Sequence, residues 1–164
     1  MPFTPFHFGP GAALHALAPR QLSFLAFCAA NVFTDIEPLY YMLAGQYPIH
    51  RFLHTFPGAT VTTFVIVIGF LFARRAPPRL HLPDLLAWRE LQPFQVLLGA
   101  ATGTCTHILL DSVMHADLRP FAPLSNANPL LHAVSVSQLH ALCIALGALS
   151  IAIMAIRRLS TAVR

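Results

Sequence analysis

The chain has 164 residues, 56% of them hydrophobic and only 10% charged, with a formal net charge of +4. Soluble domains carry about 25% charged residues, so the composition argues against a water-soluble enzyme and for one integral-membrane domain over residues 1–164. No basic patch is interleaved with aromatics, so nucleic acid is not an expected partner; Cys28, Cys105 and Cys143 lie among apolar residues without zinc-type spacing and read as small hydrophobes.

Residues 1–19, MPFTPFHFGPGAALHALAP, hold four prolines and two glycines. No basic region precedes an apolar run there, so a cleaved signal peptide is not expected. Pro10 to Ala18 fits a short helix with proline near its first turn, well under the ~20 residues that span a bilayer. Gln21 to Leu43 is the first spanning candidate. Pro38 is expected to end or kink it, because proline disfavours helix at the residue before it. Tyr40, Tyr41 and Tyr47 then suit an interfacial belt.

His50 to Ala73 is the second candidate, and Arg74, Arg75 and Arg79 close it. Residues 74–92 form a basic loop with the only Trp, Trp88, in a segment that suits a short surface helix. Pro93 to Met114 is the third candidate; its Gly99, Ala100, Ala101, Gly103 and Thr104 allow close backbone approach. Val134 to Ile156 is the fourth, followed by Arg157 and Arg158. The expected fold is therefore all-α: a bundle of about four spanning helices plus a short N-terminal helix.

Arg20, the cluster Arg74/Arg75/Arg79/Arg89, and Arg157/Arg158/Arg164 fall at one end of these spans. The positive-inside rule places that end in the cytoplasm, as in a bacterial inner membrane with the other end facing the periplasm. The outer end then gathers Asp35, Glu37, His50, Arg51, His54, Asp111, His115, Asp117, Arg119 and His132, with His107 one to two turns deeper. His7 joins them if the N-terminal segment runs back toward Arg20.

The stretch HILLDSVMH places His107, Asp111 and His115 four residues apart, on one helical face. His50 and His54 make a second stripe if their helix begins near Pro48. Asp35 adds a carboxylate. Imidazole with carboxylate suits zinc, and also manganese or iron, and ionisable groups at membrane depth face the bundle interior. One such pair alone reads equally as polar glue between helices; three segments converging favour one or two metal ions. His15, His81 and His140 belong to no ligand-spaced pair and read as packing or interfacial residues. Arg51 and Arg119 suit either a substrate phosphate or an interfacial anchor.

These motifs, in order, resemble the YdjM-like family of bacterial membrane-bound, metal-dependent hydrolases. The resemblance rests on His7, then Thr34-Asp35-Ile36-Glu37, then His50-Arg51-Phe52-Leu53-His54-Thr55, then His107 to His115. The chain departs from the family pattern in the four-residue spacing of His50 and His54, which leaves open which of them is the ligand, and in Glu37 and Met114. The family is distantly similar to zinc-dependent phospholipase C and the P1-type nucleases. The resemblance implies metal ligands at His7, Asp35, His50, His54, His107, Asp111 and His115, with Asp111 bridging two metals. On that reading Asp111, Glu37, Arg51 and Arg119 serve catalysis, with Glu37 or Asp117 as general base or as a partner orienting a ligand. The expected activity is hydrolysis of a small-molecule or lipid phosphoester at the outer membrane face, with membrane lipids as surroundings and substrate source. Two other readings use the same cluster: an ion or proton transporter, and a structural membrane protein. A bis-His haem protein is disfavoured by the surplus of carboxylates.

Overall fold

A computed structural model describes residues 5–75 and 84–162. Among them the fold is all-α, with five α-helices and no strand. A 3-10 turn, Pro5–His7, leads into α1 (Phe8–Leu17), with Pro10 in its first turn as expected. Gly9 is where α1 seats on the last helix, since a Cβ there would overlap the Cys143 carbonyl. Arg157 donates to the carbonyls of Ala16 and Leu17, placing a cation at the negative end of α1's dipole.

α2 (Phe24–Leu43) starts at Ser23, whose side chain accepts the Ala26 N–H. Its buried Phe27, Ala30, Asn31, Thr34, Asp35 and Pro38 recur at helical spacing, while Val32, Ile36 and Tyr40 are exposed. The helix runs through Pro38 rather than stopping there: the proline is fully buried, and packing of that face outweighs one missing backbone bond. It ends instead where Gly45, at φ +64°, turns left-handed. The Gly45 N–H then reaches Met42 O and the Gln46 N–H reaches Tyr41 O, the paired closure that glycine permits.

α3 (Phe56–Arg74) begins later than the His50 expected from the sequence. The Thr55 side chain accepts the Gly58 N–H and Pro57 occupies the first turn, a start signal that fixes the helix there. His50 and His54 are therefore not a helical stripe; His54 closes a 3-10 turn, Phe52–His54, and His50 precedes it in the connecting segment outside any helix. The segment around Trp88 is likewise a 3-10 turn, Leu85–Glu90. Arg79, His81 and Arg164 lie outside the described residues.

α4 (Pro93–Met114) opens with a capping box between Gln92 and Gln95 and packs between α2 and α3. Gly99 and Gly103 meet the backbone of Ser23 and Phe27 on α2, the close approach expected of that small-residue face. Thr104 meets Thr63 of α3 at 3.2 Å. α5 (Val136–Ala162) packs mainly against α1 and extends past the expected Ile156.

Three helices among the described residues, rather than four, are long and apolar enough to cross a membrane: α3, α4 and Val136–Ser160 of α5. α2 has the length, but Asn31, Thr34, Asp35 and Glu37 lower its hydropathy. The burial pattern fits a bilayer: Phe64, Ile68, Phe72, Ile144, Ile151 and Leu159 are exposed, while histidines, aspartates and threonines are buried. Water-soluble proteins do the reverse.

Candidate metal centre

The polar residues collect at one end of the bundle, where α2 and α4 finish and α3 begins. Asp35 lies on the inward face of α2, His107 and Asp111 on the last turns of α4, and His54 at the end of the turn that leads into α3. Each of the four is buried, and each offers an atom within 4.8 Å of the others'. A second group, His50, Asp111 and His115, meets the same criterion. Both His50 and His54 are thus placed against ligand-type neighbours, in different groups, and Asp111 belongs to both. His115 sits just past α4 in extended conformation rather than in the helix, with its ring 4.2 Å from His50's.

The distances at Asp111 are short. Its Oδ2 lies 3.1 Å from His107 Nε2 and 3.6 Å from His54 Nε2, and its Oδ1 lies 3.1 Å from His7 Nε2. Asp35 Oδ1 is 3.4 Å from His107 Nε2. The N-terminal segment does run back to this end: His7 is buried against His107, and its Nδ1 has no partner among the described residues.

The outward-facing nitrogens of the rings are fixed. His54 Nδ1 lies 3.1 Å from Glu37 Oε2, His50 Nδ1 lies 2.9 Å from Asp117 Oδ1, and His107 Nδ1 lies 3.0 Å from Asn31 Oδ1. The Asn31 amide is oriented by donating through Nδ2 to Phe27 O, so its oxygen is the atom that faces the histidine. Each Nδ1 therefore carries the hydrogen, which leaves each Nε2 a lone pair in the neutral ring. His107 Nε2 and His54 Nε2 then face each other at 3.3 Å, beside the carboxylates of Asp35 and Asp111. Only positive charge reconciles four such atoms. A proton would satisfy two of them; a divalent cation, held by Asp35, His54, His107 and Asp111, would satisfy all four. The buried groups could hold a metal ion by this test.

Glu37 and Asp117 are committed to orientation. Glu37 accepts the backbone N–H groups of Arg51 and Leu53 besides His54. Asp117 accepts those of Ile49 and His50. These bonds fold the loop that carries His50 and His54. They also hold Asp117 below its ordinary value: burial pushes the carboxyl up, but the His50 side chain and the two N–H groups outweigh it. Burial, with His54 and His115 nearby, pushes His50 down to about 4 against the opposing pull of Asp117. His54 is also opposed by burial, yet Asp111 and Glu37 outweigh it and raise its pKa.

Arg51 and Arg119 line a cavity of about 540 Å³ with His50, Thr55 and Asp117. Arg51 lies 3.6 Å over the Tyr41 ring and donates to Pro48 O and Gln46 Oε1. Arg119 donates to Asn126. Among the described residues neither arginine pairs with a carboxylate; the ion pairs at this end all involve histidine. His132 is exposed and only its backbone N–H is engaged, with Val113 O. His15 bonds Leu22 O and His140 stacks on Phe6, as packing residues do.

Asn31 escaped the sequence reading. Its signal was available: it lies four residues before Asp35, on the same helical face, as a carboxamide in an apolar run. No family model, no curated protein and no solved structure matches the chain.

Proposed function

We propose that this chain is a membrane-bound, metal-dependent hydrolase, with zinc as the cation and a phosphoester as substrate. The observation that carries the reading is the pair of donor groups sharing Asp111, with three imidazoles held by Glu37, Asp117 and Asn31 so that Nε2 is free. Such partners orient ligands in metal sites. The group of Asp35, His54, His107 and Asp111 is closed and fully buried. That of His50, Asp111 and His115 has three donors, the number that leaves a catalytic site open, and His50 lines the cavity. A bound divalent cation there supplies Lewis acidity and lowers the pKa of water. Arg51 and Arg119 would hold the substrate's negative charge beside it.

The order of motifs supports the same reading, through its resemblance to the YdjM-like hydrolases. The arginines Arg20, Arg74, Arg75, Arg157 and Arg158 lie away from the cluster, so the positive-inside rule puts the site at the outer face of the membrane, the periplasmic side in a bacterial inner membrane. Against transport stands the clustering of the donor residues at one end of the bundle, whereas a path for ions needs polar groups across the whole bilayer.

The test is elemental analysis of detergent-purified protein together with hydrolysis of a chromogenic phosphodiester. Stoichiometric zinc, with hydrolysis lost to a chelator and restored by zinc, supports the proposal. Folded protein with no stoichiometric metal overturns it. Metal without hydrolysis of phosphoesters reduces the centre to a structural one.

A further inference from the structure

A groove lined mainly by apolar residues adjoins the site cavity along the chain. Thr55 lines the cavity, and the next residue, Phe56, begins the groove, which α3 and α4 form together. Phe64 and Ala101 line its deeper part, and it encloses about 280 Å³. From Phe56 to Phe64 it runs about 12 Å along the helix axis, less than half of a ~30 Å hydrocarbon core, and so stays within one leaflet. The groove has three threonines, yet it is apolar in effect: Thr60, Thr63 and Thr104 each donate to a carbonyl one turn back. Around the cavity Phe52, Phe121 and Leu124 are exposed.

The cavity has the complementary chemistry. Its two guanidinium groups bond neutral acceptors only, among the described residues. The one carboxylate that lines it, Asp117, is bound to His50 and to backbone N–H groups. A phosphate beside two arginines, joined to a chain that descends one leaflet of a membrane, describes a phospholipid.

We infer that an anionic phospholipid of the surrounding leaflet is the occupant, with its phosphate at Arg51 and Arg119 and an acyl chain in the α3–α4 groove. This rests on the proposed function for the role of the cavity and names its substrate class. It accounts for three features together: a cavity with two guanidinium groups and a largely apolar wall, the lack of a carboxylate partner for either arginine among the described residues, and a neighbouring groove whose threonine hydroxyls are already bonded.

The test reads binding, so that it fails separately from the hydrolase reading. In a Trp88→Phe background, Phe64→Trp reports the groove and Ile151→Trp reports the exposed face of α5. Each protein is reconstituted in phosphatidylcholine, and quenching by brominated phosphatidylglycerol is compared with quenching by brominated phosphatidylcholine. The groove tryptophan should favour the anionic lipid by about thirtyfold, as two arginines at about 1 kcal/mol each near an anionic headgroup would give. Arg51→Gln/Arg119→Gln should reduce that preference to the α5 level. Thr60→Trp repeats the measurement should Phe64→Trp not fold. Equal quenching by both lipids, or a preference that survives loss of the arginines, overturns the inference. So does calorimetric binding of glycerol phosphate with no lipid preference, which would assign the cavity to a soluble phosphoester. Lipid preference without turnover upholds the inference and sinks only the hydrolase.

Discussion

The Nε2 atoms of His54 and His107 stand 3.3 Å apart in a fully buried setting, and the other nitrogen of each ring is turned to an oxygen. Two neutral imidazoles so held repel, and Asp111 beside them adds charge of the same sign. The arrangement stores an electrostatic demand that only a cation meets, and the elements around it are built to keep the demand in place: Glu37 from α2, Asn31 one face-turn deeper on the same helix, and Asp117 from the loop after α4. Burying polar atoms this way is costly unless they are paired, which is why the pairing is the informative feature.

Asn31 is a positioning residue for His107, and its replacement separates acceptor chemistry from volume. Asn31→Leu removes the oxygen that fixes the ring and leaves a buried N–H unpaired, at about 1–3 kcal/mol. Zinc affinity should fall roughly 10–100-fold. Asn31→Asp keeps an acceptor and should bind zinc at least as well as wild type. Competition with a chromophoric chelator measures both; equal affinities for the two variants would refute the role.

Gly58 tests the placement of His54. A Cβ at Gly58 would overlap the Phe52 carbonyl and crowd Leu53, both backbone, so Gly58→Ala must push the Phe52–His54 turn away from α3. The expected cost is about 1–3 kcal/mol, with a loss of zinc affinity in proportion. Gly69, on the same helix, has nothing within 4 Å of its added Cβ among the described residues. Gly69→Ala should raise stability by roughly 0.5–1 kcal/mol and leave zinc binding unchanged. Thermal midpoints in detergent, with and without zinc, decide it.

Much of this was legible in the sequence because the signals are local. Four-residue spacing in HILLDSVMH put His107 and Asp111 on one face, and small residues at Gly99 and Gly103 announced a close helix contact. Arginine placement separated the polar end from the basic one. What failed depended on tertiary balance. Pro38 reads as a stop, yet the buried face of α2 carries the helix past it. His50 and His54 read as a stripe, yet Thr55 and Pro57 delay the helix and a 3-10 turn brings them to the site instead. The four expected spans became three among the described residues because Asn31, Thr34, Asp35 and Glu37 lower the hydropathy of α2, polar residues that the sequence reading includes in a span. Asn31 was missed because an amide has no ligand chemistry of its own; it matters only once His107 is seen beside it.

His50 gives the pH dependence of the metal-free protein a defined sign. Its pKa drops from 6.5 to about 4 on folding, so the unfolded chain binds the proton more tightly. Stability from this group is complete above 6.5 and is lost as pH falls toward 4. Asp117, held below 3.8, adds a loss only at lower pH. The thermal midpoint of chelator-treated wild type, relative to His50→Gln, should therefore decline between neutral pH and pH near 4. A difference that stays constant across that window would show that His50 is not buried neutral.

The sharing of Asp111 predicts an asymmetry between the two aspartates. Asp35 belongs to one donor group and Asp111 to both. If each group holds a cation, wild type carries about two equivalents of zinc, Asp35→Asn about one, and Asp111→Asn close to none, because a three-donor group cannot spare its only carboxylate. Asparagine preserves volume, so lost packing is not the cause of any difference. The order also separates catalysis from architecture. Asp35→Asn, which spares His50, Asp111 and His115, should retain measurable phosphodiester hydrolysis, whereas Asp111→Asn should abolish it. Equal metal loss in the two variants would mean a single ion held jointly by all the donors, and the open position would then have to be sought on that ion.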